Sequence, residues 1–373
     1  LASIENIKEK DKGLNEAYQR ITYNRGIELF NDRDYFNAMK MFKKSQETNT
    51  DHNIFANSLF WTGESYFRLS QYDLAISYYN RFLSAPGARN LPLYHTAHYN
   101  IGYSWFQQKK YNDAVQEFKL FLKNESKENS KMVSDAYMRT GDSYFVSKRY
   151  QDAISQYDKA AHLNSAEADY ATFQKARALG ALGKQEEKIA TLRAFQRQYS
   201  SSPYAAEAFS EMGNTAMIIN QNNEALQFFN TLIVNYPASN LIKTALMKTG
   251  LIYYNLSDYN KALDTFKKVV AEYPGSQEAH EAIANIRNIY VDLNRVDEFI
   301  AYSKNISFAQ ITDREQDSLL YFAALNKYME NDCASAKQGF SNYLNRFPQG
   351  LYSLNSNYYK ADCEFRANNM SEA

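Results

Sequence analysis

The chain has 373 residues, with 42 Lys and Arg balanced by 42 Asp and Glu for a formal net charge of zero. That balance offers no basic excess to draw in nucleic acid or an anionic membrane as the main partner. Two cysteines, Cys333 and Cys363, are too few for a disulfide-stapled scaffold or a four-cysteine zinc site, and two buried thiols are the default expectation.

Residues 1–17 read as a polar, charged leading helix carrying Ile4, Ile7 and Leu14. After it a fixed spacing takes over. Small residues recur as Gly26, Gly63, Gly102, Gly141, Ala176, Gly213 and Gly250, at intervals of 37, 39, 39, 35, 37 and 37. Further steps of 37 reach Arg287, Ala324 and Ala361. A second series follows twelve positions behind: Ala38, Ala75, Ala114, Ala153, Ala225, Ala262, Ala336 and Ala373. Self-similarity at this period indicates a solenoid of repeated helical units, each packing on its neighbours.

The units run near 19–52, 56–92, 95–130, 134–166, 169–203, 206–240, 243–277, 280–312, 317–351 and 354–373, nine complete and a partial tenth. In the seventh, Leu246, Thr249, Gly250 and Tyr253 share one helical face, and Tyr259, Ala262 and Phe266 share a face of a second helix. Asn255 to Asp258 is polar turn material between them. Tyr273-Pro274-Gly275-Ser276 stops the second helix and supplies a cap for the next. Gly250 costs roughly 1 kcal/mol of helix propensity against Ala, so its recurrence implies a close helix–helix approach that outweighs this.

Two units depart. In the fifth, Lys188 holds the Ala position. In the eighth, Arg287, Val296, Phe299 and Ser303 replace Gly, Tyr, Ala and Phe. The bland reading is drift within a tolerant fold, with Phe299 filling space that Ser303 vacates. The sharper one is that this pair opens and bends the array. Arg287 is expected to reach outward along its stem, because burying it unpaired would cost several kcal/mol.

These spacings resemble the tetratricopeptide repeat family. The matches are clearest at Ile101-Gly102-x2-Trp105 with Ala114 and Phe118, at Gly141-x2-Tyr144 with Ala153, Tyr157 and Ala160, and at Gly63-x2-Tyr66 with Ala75 and Tyr79. The resemblance covers essentially the whole chain. It implies an all-α, right-handed superhelix whose first helices line a concave groove, and a natural chain that continues past Ala373. The second, fifth, ninth and twelfth unit positions would face that groove. They place Phe60, Phe67, Tyr99, Tyr103, Phe106, Asp142, Phe145, Phe173, Arg177, Tyr254, Tyr321, Tyr328, Tyr358 and Phe365 there as candidate partner-binding residues, with Asp135, Asn214 and Asn288 beside them. Aromatic rings with scattered polar groups suit an extended peptide or a partner helix. The Lys and Asn set with which some family members clamp a peptide carboxylate is not in phase here, which speaks against chaperone tails. The aromatic-Pro-x-Ser junctions at 236–239 and 273–276 resemble those of bacterial envelope repeat proteins.

No catalytic constellation emerges. His95 and His98 are three apart, without a third metal ligand at suitable spacing, and read as a surface pair. Gly180 to Lys184 lacks the preceding strand and the Ser/Thr of a phosphate loop. The chain is therefore expected to be a non-enzymatic scaffold for a protein or peptide partner, without cofactor, metal or nucleic acid. Its expected location is the periplasm or the outer-membrane surface, with any signal segment upstream of Leu1; the cytoplasm is the alternative. Rival functions are a carbohydrate-binding or nutrient-uptake component, since rings also stack on sugars, and the sensory arm of a longer regulatory protein.

Overall fold

The computed structural model describes residues 7, 11–124, 130–163 and 166–366. Among them every regular element is a helix. The chain falls into two compact units, residues 1–204 and 205–373. The first contains five antiparallel pairs: α1 (Lys12–Asn31) with α2 (Tyr35–Ser45), α3 (His52–Arg68) with α4 (Tyr72–Leu83), α5 (Leu93–Gln107) with α6 (Tyr111–Asn124), α7 (Ser130–Val146) with α8 (Tyr150–His162), and α9 (Ala168–Ala181) with α10 (Gln185–Gln198). The second contains four: α11 (Ala205–Ile218) with α12 (Asn222–Asn235), α13 (Ile242–Asn255) with α14 (Tyr259–Glu272), α15 (Gln277–Asp292) with α16 (Val296–Ser303), and α17 (Asp313–Met329) with α18 (Cys333–Arg346). The first helix of a tenth pair, α19 (Ser353–Arg366), follows; Ala373 lies outside the described residues. Of the expected leading helix at 1–17, residues 12–17 belong to the first repeat's own helix. α1 starts at Lys12, capped by the Asp11 side chain, and runs without a break through the first repeat, while Ile4 lies outside the described residues.

The periodic small residues work as the spacing implies. Each of the six anchor glycines faces the aromatic residue sixteen positions on, in its own second helix. A Cβ on Gly26 would lie 2.5 Å from Phe42, on Gly102 2.8 Å from Phe118, on Gly213 2.5 Å from Phe229, and on Gly250 2.6 Å from Phe266. The aromatic ring lies flat in the notch the glycine leaves, and each of these rings is fully buried. The Ala series is buried alongside: Ala38, Ala75, Ala114, Ala153, Ala225, Ala262 and Ala336 are all at 0% exposure.

The turn between paired helices is also one device repeated. Seven residues after each anchor the backbone turns left-handed, at Arg33, Ser70, Lys109, Lys148, Gly183, Asn220, Ser257, Asn294 and Asn331. Its N–H bonds the carbonyl three back, and the next N–H bonds the carbonyl five back, as in Lys148 to Phe145 and Arg149 to Tyr144 at 2.9 and 2.8 Å. This is the Schellman closure that satisfies the last carbonyls of the first helix. Only one of the nine is glycine, so the repeat enforces a conformation that L-residues resist.

The irregular repeats resolve as follows. Lys188 is largely buried, its stem lying against Gly180. Arg287 is exposed, while Phe299 and Ser303 are buried. α16 has only 8 residues, where the other second helices have 11 to 14. The chain after it, residues 304–311, packs Ile306, Phe308 and Ile311 against the core of the unit. The eighth repeat is thus a shortened pair rather than a drifted copy. The two cysteines are not free thiols: Cys333 and Cys363 form a disulfide with their Cα atoms 5.3 Å apart, joining α18 to α19. Sequence spacing alone left that pairing open, because only the stacking of successive repeats sets the distance.

Candidate functional site

The predicted groove residues divide by register. Those three positions before the anchor mostly belong to the core. Phe60, Phe173 and Tyr321 are 3%, 1% and 4% exposed, so they are corrected here to packing residues. Phe60 is tilted against Tyr79 and edge-on to Phe82; Phe173 stacks on Tyr204 at 5.2 Å, and Tyr321 stacks on Tyr352 at 4.2 Å. Tyr204 and Tyr352 lie in the junctions that follow these repeats, and an aromatic there closes over the ring. Tyr99, at the same register, stays half-buried, and its hydroxyl donates to Asp135 at 2.7 Å. Tyr358 keeps 66% exposure on α19.

Rings four positions after the anchor form a second class. Phe67, Phe106, Phe145 and Tyr254 are half-buried. Each meets the tyrosine that opens its own second helix: Phe67 with Tyr72, Phe106 with Tyr111, Phe145 with Tyr150 and Tyr254 with Tyr259, at 5.4 to 5.8 Å between centroids. The contact with that tyrosine orients each ring without a partner, and part of each ring stays exposed. Tyr254 and Tyr328 also spend their hydroxyls on acids of the next first helix, donating to Asp292 at 2.9 Å and to Asp362 at 2.7 Å. Phe365 remains 60% exposed.

Between the third and fifth repeats these rings surround a charged cluster. Arg139, on α7, donates through Nη1 to Asp142 at 2.6 Å and through Nε to Asp135 at 3.3 Å. Its guanidinium lies over Phe106 at 5.9 Å and over Tyr170 at 5.6 Å. Asp135 also accepts from Tyr103, and Asp142 accepts from Tyr157 and Tyr170, both at 2.9 Å. Arg177 is exposed, 5.6 Å from the Phe145 centroid, and donates to Gln174 at 3.2 Å. Burial pushes the Asp142 carboxyl up, against the pull of Arg139 and the two tyrosine hydroxyls. Burial, and then the charge of Asp135, raise Tyr99 and Tyr103 well above the usual phenol value. Tyr170 is raised to about 12 by burial and by Asp142. The tyrosines are therefore neutral donors at physiological pH, and the cluster is one connected network.

Arg139 and Tyr170 were missed from sequence. A usable signal existed for Arg139: it stands four after Asp135 and three before Asp142, on the same helix face. A second rule is visible only in the fold. Where the second helix offers Tyr to the glycine notch, the residue after the glycine is an acid that accepts its hydroxyl. Tyr79 donates to Glu64 at 2.8 Å as Tyr157 does to Asp142. Asn214, by contrast, accepts from Lys248 of the next first helix, and Asn288 is exposed. His95 and His98 are half-buried rather than a surface pair. His98 meets Glu117 at 2.7 Å, and among the described residues no group of three His, Cys, Asp or Glu is placed to hold a metal. No helix among the described residues is long and apolar enough to cross a membrane.

Tetratricopeptide repeat models match residues 62–130 and 138–203, and a second such model matches 244–276. No curated protein matches. Among solved structures, the C-terminal part of a TPR repeat-containing protein from Cytophaga hutchinsonii aligns at a TM-score of 0.57 and 16% identity, covering 70% of this chain and 98% of that one. A tetratricopeptide repeat protein from Parabacteroides merdae aligns at 0.45 and 14% identity, covering 71% and 97%. YrrB, described as a TPR protein with an unusual peptide-binding site, aligns at 0.43 and 22% identity, covering 55% and 96%. At 16% identity the first of these alignments speaks to the fold alone.

Proposed function

Because the chain is a tetratricopeptide repeat protein, we propose that it is a protein–protein interaction scaffold whose first helices receive a peptide or a partner helix. The observation that carries this reading is the row of half-open rings Phe67, Phe106 and Phe145, each braced by its own repeat and interspersed with Arg139, Asp142 and Arg177. Braced rings lose little side-chain entropy on binding, so their open sides are suited to serve as anchors. The charged cluster beside them would fix register through its remaining hydrogen-bonding capacity.

The partner is reached by placing a photo-crosslinking residue at Phe106 or Phe145 in native cells and identifying the adduct. A triple Phe106→Ala, Phe145→Ala, Arg177→Ala variant, shown by circular dichroism to remain folded, should then weaken the purified interaction at least tenfold. Equal weakening by substitutions on the exposed faces of the second helices would reject the site. A glycan array bound by the wild type, with binding lost in Tyr99→Ala or Tyr254→Ala, would favour the carbohydrate reading instead.

We place the protein in an oxidising envelope compartment. The Cys333–Cys363 bond supports this, since structural disulfides persist there and are rare in a reducing cytosol. Fractionation of cells followed by thiol alkylation and mass measurement tests it. Recovery of the chain in the cytosolic fraction with two alkylated cysteines would remove the assignment.

A further inference from the structure

One constellation occurs twice in the same register, and only one copy is closed. In the first and second repeats, Lys43 donates to the Tyr66 hydroxyl at 2.6 Å and lies over the rings of Tyr66 and Tyr78, at 5.0 and 5.6 Å. In the seventh and eighth, Lys267 donates to the Tyr290 hydroxyl at 3.0 Å and lies over Tyr290 and Tyr302, at 5.4 and 5.2 Å. Around Lys43 the second helix continues to Leu83, and the Arg81 guanidinium covers Tyr78 at 4.6 Å. The position equivalent to Arg81 is Asn305, which lies beyond the end of the shortened α16. Two polar residues after Lys43, Gln46 and Glu47, correspond to Val270 and Ala271.

These exchanges open a cavity of about 420 Å³, lined by Lys267, Val270, Pro274, Tyr302, Asn305, Ile306 and Phe308 among others. That is the size range of small-molecule sites. Its lining comes from α14, the Pro274 turn, α16 and the chain just after it, and includes no residue of a first helix. The walls are apolar. Besides Asn305 and Ser307, the polar groups that border the cavity are the Lys267 ammonium, with no carboxylate at ion-pairing distance among the described residues, and the Tyr302 hydroxyl, which makes no hydrogen bond to another described residue. The acid whose field reaches Lys267, Glu298, is held by Arg295 at 2.5 and 2.6 Å. Burial raises Tyr302 to about 12, so its hydroxyl is a neutral donor.

We propose that this cavity binds a small amphipathic carboxylate. Its apolar or aromatic body would rest on Val270, Pro274, Ile306 and Phe308, and its carboxylate would take hydrogen bonds from Lys267 and Tyr302. An ammonium and a phenol hydroxyl bordering an apolar pocket suit a carboxylate better than a neutral group. A charge-assisted hydrogen bond in a partly desolvated site is worth enough to separate acid from neutral analogue by on the order of tenfold or more.

The test uses 3-phenylpropionate and its neutral analogue 3-phenylpropan-1-ol with the whole protein, by saturation-transfer NMR and calorimetry. The acid should bind at least tenfold tighter than the alcohol. Lys267→Met should abolish that preference, Lys267→Arg should keep it, and Phe308→Ala should weaken both ligands. Asn305→Asp, a surface change that sets an acid beside Lys267, should weaken the acid about tenfold and spare the alcohol, which keeps the test open if Lys267→Met fails to fold. Lys43→Met, in the closed copy, should change nothing. Equal binding of acid and alcohol, no binding of either, or loss of the preference in Lys43→Met would overturn the proposal.

Discussion

A glycine facing an aromatic ring and a glycine facing a lysine stem are chemically alike in sequence and opposite in consequence. At Gly250 a methyl group would meet the Phe266 ring at 2.6 Å, with the ring walled in by core. Gly250→Ala is therefore expected to destabilise by about 1–3 kcal/mol in urea unfolding, overpacking winning over the better helix propensity of Ala. At Gly180 the nearest atom is Lys188 Cδ, on a chain that can swing. Gly180→Ala should be neutral or stabilising by up to about 1 kcal/mol in the same assay. Lys148 sits left-handed at φ 59° in its turn, where no side chain is required, so Lys148→Gly should stabilise by about 1 kcal/mol. The tyrosines of the Asp135–Asp142 network give a pH signature. Tyr170 is raised by burial to about 12, against about 10 in an unfolded chain. A raised phenol favours the folded state below the unfolded value and loses that contribution as pH climbs through the folded one. Stability is thus expected to fall between pH about 10 and 12, followed by chemical denaturation at each pH, and Tyr170→Phe should flatten the fall. An unchanged slope in that variant would mean other groups dominate.

At the scale of the element, the first helix of each of the nine pairs ends in the same two-bond closure, and its second helix begins two residues past the left-handed position. This closure was not legible in the sequence. Eight of its nine left-handed positions are Arg, Ser, Lys or Asn, so the usual glycine mark is missing. The strain is held by packing on both sides, which no local pattern reports. The disulfide belongs to this scale too. It ties the start of α18 to α19 across a separation of 30 residues. Reducing it, or making Cys333→Ser with Cys363→Ser, should cost about 2–4 kcal/mol of stability by freeing the unfolded chain. Differential scanning calorimetry with and without reductant reads this directly, and an unchanged transition would mean that α19 docks through its apolar contacts alone.

For the whole molecule, each unit is a stack in which helices touch their sequence neighbours, so long-range closure is not needed for either to fold. Residues 1–204 expressed alone are expected to show helical circular dichroism and a single cooperative unfolding transition. A non-cooperative melt would show that the five pairs depend on the rest of the chain. Local contacts of this kind also predict folding in milliseconds or less, measurable by stopped flow.

The sequence by itself settled the architecture. Side chains short enough to admit a ring recur at intervals of 35 to 39, and each of the six anchor glycines is matched by an aromatic sixteen residues later, a complementarity that needs no knowledge of anything farther away. It also pointed to aromatic positions on the first helices, though not to Arg139 or Tyr170. Which of those side chains stay open was decided only by tertiary structure. Phe60, Phe173 and Tyr321 hold positions that looked like Phe67 or Phe106, but rings from elsewhere in their own and following repeats bury them, while the latter stay half-buried. The network at Arg139, the joined cysteines and the cavity beside Lys267 likewise arise where different helices converge. Burial is a property of what lies across from a residue, and a single strand of sequence carries that only where the repeat makes the neighbour a copy of itself.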